Sequence, residues 1–351
     1  MKNGGNMEKQ NISFFQKFLS VWVLICMLIG ILVGKFTPYI PDFFRKFEVQ
    51  GISIPMAILI WLMIYPMMLK VDFMSIRNVR KNPKGLILTW VVNWLLKPFT
   101  MYVIARFFLS FVFKNIISQT LANEFLAGAV ILGAAPCTAM VFVWSNLTKG
   151  NPAYTVIQVA TNDLIILFAF APIVKILLGV ASVDVPIQLL LISVLIFVVI
   201  PLASGIITRY LVIAKKGQDY FKKNFINKFN GITTIGLLLT LVLIFSFQAE
   251  LILQNPLHII LIAIPLTIQT LFIFTIAYIA GYFLKLPHEI AAPAGMISAS
   301  NFFELAVAVA VSLFGTDSAA SFATTVGVLT EVPIMLFLVY IANKTRKIFL
   351  K

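Results

Sequence analysis

Pro136-Cys137 places a cysteine directly after a proline in a stretch that is otherwise largely apolar. Four ionisable side chains, Lys97, Asp163, Glu304 and Glu331, fall inside similar stretches. A thiolate is a soft donor, suited to soft, thiol-seeking ions. A carboxyl in an apolar setting can carry a proton or can hold a neighbouring helix through a hydrogen bond. Both readings stay open for Glu304. Asp163 and Glu331 are either structural partners or a second proton site, and Lys97, just before Pro98, calls for one of the acids as its partner. Cys26 has no polar neighbours and reads as a small apolar filler. The two thiols form no CxxC pair and no disulfide framework. His258 and His288 fall near the ends of apolar runs, where an interfacial position is expected. No Gly-rich phosphate loop, HExxH or Ser-His-Asp arrangement is present, so neither an enzyme nor a cofactor is expected. A separate ATPase partner has no support in the sequence.

Positioning these groups falls to apolar helices. The chain has 351 residues, 60% of them hydrophobic and 11% charged, against roughly 45–50% and about 25% in soluble domains. An excess spread over the whole length makes lipid the solvent, and at roughly 20 residues per span there is room for about ten spans. The apolar runs are 18–36, 52–70, 85–113, 124–147, 153–179, 187–213, 229–252, 257–285, 289–314 and 318–342. The first follows Lys9 and Lys17 as a signal peptide would. It lacks a small-residue cleavage site and continues through Gly34, so it is expected to be retained.

The formal charge of +14 does not argue for nucleic acid, because the basic residues sit between the apolar runs, where they set orientation. With the N-terminus inside, the cytoplasmic face collects Lys70, Arg77, Arg80, Lys81, Lys84, Arg209 and the basic linker 215–228. The other face keeps Lys35, Arg45, Lys46 and Lys114. This alternation predicts ten spans with both termini cytoplasmic.

Helices five and six meet near Val180–Val185. The chain thus divides into a tail, 1–16, and two five-helix repeats, 17–180 and 181–351. An odd number of spans per repeat inverts the second against the first, a common transporter plan. Gly133 to Asp163 and Gly295 to Glu331 share one order: glycine, interrupted polar stretch, apolar helix, glycine, then a helix carrying an acid. Counting back from Gly150 and Gly315 aligns Pro136 with Asn301 and brings Asp163 and Glu331 to matching points. Pro136 removes a backbone donor, while Ser298, Ser300 and Asn301 offer local partners that loosen a helix. Interrupted helices at corresponding places in two halves point to a transporter's binding site. The expected fold is therefore an all-α integral membrane protein: ten transmembrane helices as two inverted five-helix repeats, with helices four and nine broken.

Several of these stretches resemble the arsenite efflux permeases of the bile acid/arsenite/riboflavin transporter superfamily. They are Ala134-Ala-Pro-Cys-Thr-Ala-Met-Val-Phe-Val-Trp-Ser145, Gln158-Val-Ala-Thr-Asn-Asp-Leu164 and Ser300-Asn-Phe-Phe-Glu-Leu-Ala-Val-Ala308. Asn93-Trp-Leu-Leu-Lys-Pro-Phe99 and Val326-Gly-Val-Leu-Thr-Glu-Val-Pro333 fit as well, so the resemblance covers helices two to ten. It implies broken helices that cross at mid-membrane and export of trivalent arsenic, with antimonite as a second substrate. It also implies that Cys137 serves metalloid transport and Glu304 serves transport and coupling.

The resulting expectation is a plasma-membrane arsenite exporter that confers arsenic resistance by proton antiport. Cys137, as the As(III) ligand, stands with Asn301 and Glu304 at the substrate; Glu304, Asp163 and Glu331 handle protons. Pro136, Asn162, Lys97, Gly295 and Ser300 shape the breaks. Arsenite is mostly neutral As(OH)3 near neutral pH, so thiolate coordination and hydrogen bonds must select it. The alternative is a sodium-coupled organic-anion symporter of the same fold, with sodium sites rich in carbonyls and no essential thiol.

Overall fold

The computed structural model describes residues 19–49, 52–70, 83–138, 140–181, 183 and 185–349. The tail 1–16, the basic residues Arg77, Arg80 and Lys81, and Asp184 lie outside the described residues. The helices are α1 (Leu19–Phe36), α2 (Tyr39–Arg45), α3 (Ile54–Lys70), α4 (Lys84–Val112), α5 (Gln119–Gly133), α6 (Val141–Leu147) and α7 (Pro152–Val180). They continue as α8 (Ile187–Tyr220), α9 (Asn230–Phe247), α10 (Ala249–Gln254), α11 (Pro256–Phe283), α12 (His288–Ala299), α13 (Phe303–Phe314) and α14 (Ala319–Lys344). A two-residue hairpin, Glu48–Val49 with Ile52–Ser53, links α2 to α3.

Each apolar run of the sequence falls on one helix or on a pair flanking a break. Among the described residues five helices, α4, α7, α8, α11 and α14, are long and apolar enough to cross a membrane. The pair α1 and α2, bent by 94°, makes a sixth when counted as one span. The outer surface has the matching chemistry. Phe168, Phe283 and Tyr210 are each more than 70% exposed, an arrangement that lipid rather than water solvates.

Local signals set the helix ends. Ser118, Asn151 and Ser318 each accept a backbone N–H of the first turn and so start α5, α7 and α14. Gly315, at φ +87°, stops α13 in a conformation that side chains disfavour. In α4, Pro98 cannot donate to the turn before it, and the helix widens into a π turn over Val92–Leu96. That turn carries Asn93 and Trp94 and leads into Lys97.

Burial among the helices depends on close backbone approach, as expected where lipid competes for apolar contact. A Cβ on Gly128 of α5 would stand 2.2 Å from the Ala320 carbonyl and 2.7 Å from the Ala323 Cβ of α14. Gly30 and Gly34 of α1 meet α9 in the same way. At one end of the molecule, Arg45 of α2 pairs with Asp317 at 2.6 Å and Asp42 at 3.2 Å, tying α2 to the turn before α14. His288, expected at an interface, is instead buried at the start of α12, with Nε2 2.9 Å from the Ala342 carbonyl.

Candidate functional site

The site begins where two helices fail. Helix α5 ends at Gly133, the chain runs through Pro136 and Cys137, and α6 starts at Val141. Helix α12 ends at Ala299, Ser300 is extended, and α13 starts at Phe303. Each break frees N–H and C=O groups that have no water to turn to. They satisfy each other. Pro136 and Asn301 pair antiparallel; the Cys137 N–H donates to the Ser300 carbonyl at 3.2 Å, and the Phe302 N–H to the Ala135 carbonyl at 3.1 Å. Proline suits its place in this pair, because the two donors come from other residues.

Two long side chains brace the second break. Glu331 of α14 accepts from the Ser300 hydroxyl at 2.5 Å and from the Asn301 N–H at 3.2 Å through the same oxygen, Oε1. Lys97 of α4 donates its ammonium to the Ser300 carbonyl at 2.5 Å. That carbonyl also takes the Cys137 N–H. It lies at the C-terminal end of α12, where the helix dipole favours a positive charge. The partner of Lys97 is therefore a main-chain carbonyl, with Glu331 within electrostatic reach.

Cys137 is wholly buried, and its Sγ accepts the Met140 N–H at 3.4 Å. Lys97, Glu304 and Glu331 all lie within electrostatic reach of the sulfur. Glu304 occupies the first turn of α13 and is buried. Around the two breaks, Thr138 Oγ1, Ser298 Oγ, Asn301 Oδ1 and Glu304 Oε2 are buried polar atoms with no protein partner. Natural interiors seldom leave such capacity unused. A thiol, a carboxyl and several hydrogen-bonding groups can together receive a small polar solute and bind it through sulfur. Among the described residues no group of three or more His, Cys, Asp or Glu side chains could cage a metal ion.

The remaining expected site residues are placed differently. Asn162 of α7 accepts from Trp94 Nε1 at 3.1 Å and Asn93 Nδ2 at 3.4 Å, fastening α7 to the π turn of α4. Asp163 beside it is buried with both carboxylate oxygens unpartnered. It makes none of the contacts to the breaks that Glu331 makes. Gly295 lies inside α12, more than a turn before the break, where a Cβ would be 3.1 Å from the Phe274 ring. A further polar cluster was not foreseen. Gln158 Nε2 donates to Thr89 Oγ1 at 2.6 Å and the Gly85 carbonyl at 3.2 Å, and Ser145 bonds Thr155 at 2.6 Å. These bonds join α4, α6 and α7. The spacing of Thr155, Gln158 and Asn162 on one helical face was the available signal.

Comparison with known proteins adds three relatives and one family. Residues 57–255 match the model of the Sodium Bile acid symporter family. The chain is 59% identical over 342 residues to the Arsenical-resistance protein Acr3 of Alkaliphilus metalliredigens, covering 97% of this chain and 96% of that protein. It is 47% identical to an uncharacterized transporter of Synechocystis, over 98% of this chain and 91% of the other. With the Arsenical-resistance protein Acr3 of Corynebacterium glutamicum it shares 31% identity, over 94% and 89% of the two chains.

Proposed function

Because this chain belongs to the sodium bile acid symporter family and, within it, to the arsenical-resistance proteins, we propose that it exports arsenite from the cytoplasm by proton antiport. The observation that carries this reading is the buried Cys137 sulfur at the paired breaks, with unpartnered polar atoms on Thr138, Asn301 and Glu304 around it. The same reading has ten spans in two inverted five-helix repeats, both termini cytoplasmic, and antimonite as a second substrate.

As(OH)3 is uncharged, so a charged cavity would not select it. Sulfur coordination does, because As(III) is soft. Loading forms one As–S bond and breaks one As–O bond. The thiol proton and the departing hydroxyl leave together as water, with Glu304 assigned as the acid that relays that proton. A single sulfur is appropriate for a carrier, since a cage of thiolates would hold the load too tightly to release it. Asn301 and Thr138 supply hydrogen bonds to the remaining As–OH groups. Release outside reverses the exchange, and a proton entering from that side returns the empty carrier. Asp163 and Glu331 are the further proton-handling acids of this scheme; Pro136, Lys97 and Ser300 keep the breaks in shape, while Asn162 and Gly295 hold the helices that lead to them.

Arsenite uptake into everted vesicles tests the proposal. Uptake should require the inside-acid pH gradient and collapse when it is discharged. Glu304→Gln should keep arsenite binding and lose the pH-driven component. Accumulation that ignores the gradient would overturn proton antiport, and failure of vesicles to take up arsenite under any gradient would overturn the substrate.

A further inference from the structure

We propose that the Lys97 ammonium is a tethered cation occupying a small-cation position at the paired breaks, so that this chain works without a bound sodium ion there. In transporters with interrupted helices, unwound carbonyls and the C-terminal ends of half-helices are where coupling sodium ions bind. The Ser300 carbonyl is both of these, and Lys97 Nζ sits on it at 2.5 Å. Glu331 supplies a carboxylate on the other side of the same residue, held by the Ser300 hydroxyl and the Asn301 N–H. Carbonyl and carboxylate oxygens are hard donors, suited to hard cations. Lys97 is wholly buried, and among the described residues no carboxylate lies within 4 Å of its ammonium. The ammonium is thus directed at the helix end in preference to a closed salt bridge with an acid. The chain also matches a family model whose description is of sodium symporters, and a side chain stands where the ion would bind.

Shortening the side chain should restore the ion's position. The full-length purified protein, wild type and Lys97→Ser, would be melted in sodium chloride and in choline chloride, without arsenite. Arsenite flux would then be measured in vesicles made with each salt. Wild type should melt at the same temperature and transport equally in both salts. Lys97→Ser should melt several degrees lower in choline and recover in sodium, and its flux should rise at least tenfold on adding sodium. Lys97→Met fills the space without charge and leaves no room for an ion, so its flux should be low in both salts. A wild type stabilised by sodium, a Lys97→Ser protein indifferent to it, or wild-type flux from Lys97→Met would each overturn the inference. The melting comparison contains no arsenite, so a wrong substrate leaves its result standing. If Lys97→Ser cannot be purified from either salt, the wild-type and Lys97→Met measurements decide.

Discussion

Replacing Cys137 by serine and, separately, by alanine pulls apart its two roles, one in the protein and one toward the load. Within the protein, Sγ accepts the Met140 N–H at 3.4 Å. A serine oxygen can accept the same N–H, so Cys137→Ser should change folding stability by less than about 1 kcal/mol. Alanine cannot accept it, and a buried N–H left without a partner costs about 1–3 kcal/mol. The two variants should therefore melt in the order wild type, serine, alanine. Toward the load they should be equivalent, because neither offers sulfur. Losing about 2.8 kcal/mol of binding already lowers affinity about a hundredfold, and both should fall at least that far. Melting curves of purified protein and arsenite flux in everted vesicles measure the two effects separately. Transport retained by Cys137→Ser would refute sulfur coordination. Equal melting of the serine and alanine variants would refute the Met140 bond.

Three further outcomes are expected. Ser300→Ala removes the hydroxyl that donates to Glu331 and should lower stability by about 1.5–3 kcal/mol, the range for bonds to charged groups; an unchanged melting temperature would count against that brace. Gly128→Leu should drive α5 from α14 and cost at least about 1–3 kcal/mol, whereas Gly179→Leu, with nothing within 4 Å of its Cβ position, should melt as wild type does. Cys26→Ser, at a buried position on α1, should leave arsenite flux intact, and a loss of flux there would mean that the two thiols act together.

Much of the helical plan was legible because lipid-facing helices announce themselves by length and apolarity, and α4, α7, α8, α11 and α14 do so plainly. The first break was legible for a different reason: Pro136 is a strong local signal that needs no partner to be recognised. The second break was harder to locate. The polar run Ser298, Ser300 and Asn301 marks it only weakly, because such residues also occur inside helices. The interruption falls at Ser300–Phe302, while Pro293 is carried inside α12 without ending it. Lys97 was expected to find an acid; Glu331 lies within its electrostatic reach, but its hydrogen bond goes to a carbonyl. Backbone acceptors exist at every residue, so composition cannot identify which one a lysine will use. Asp163 and Glu331 looked equivalent by position. Only packing distinguishes them, since Glu331 reaches the second break and Asp163 lies along α7 with unpartnered oxygens.

The paired breaks are joined through main-chain atoms of Ala135, Cys137, Ser300 and Phe302. Every residue type carries those atoms, save that proline cannot donate at positions 137 and 302. Mutation can therefore replace the side chains lining the breaks while the join between the two halves persists. Over evolutionary time such a frame is permissive: lineages can diverge in cargo by a few changes without first passing through an unfolded intermediate. The seam thus constrains the backbone and leaves the side chains that line it free to change.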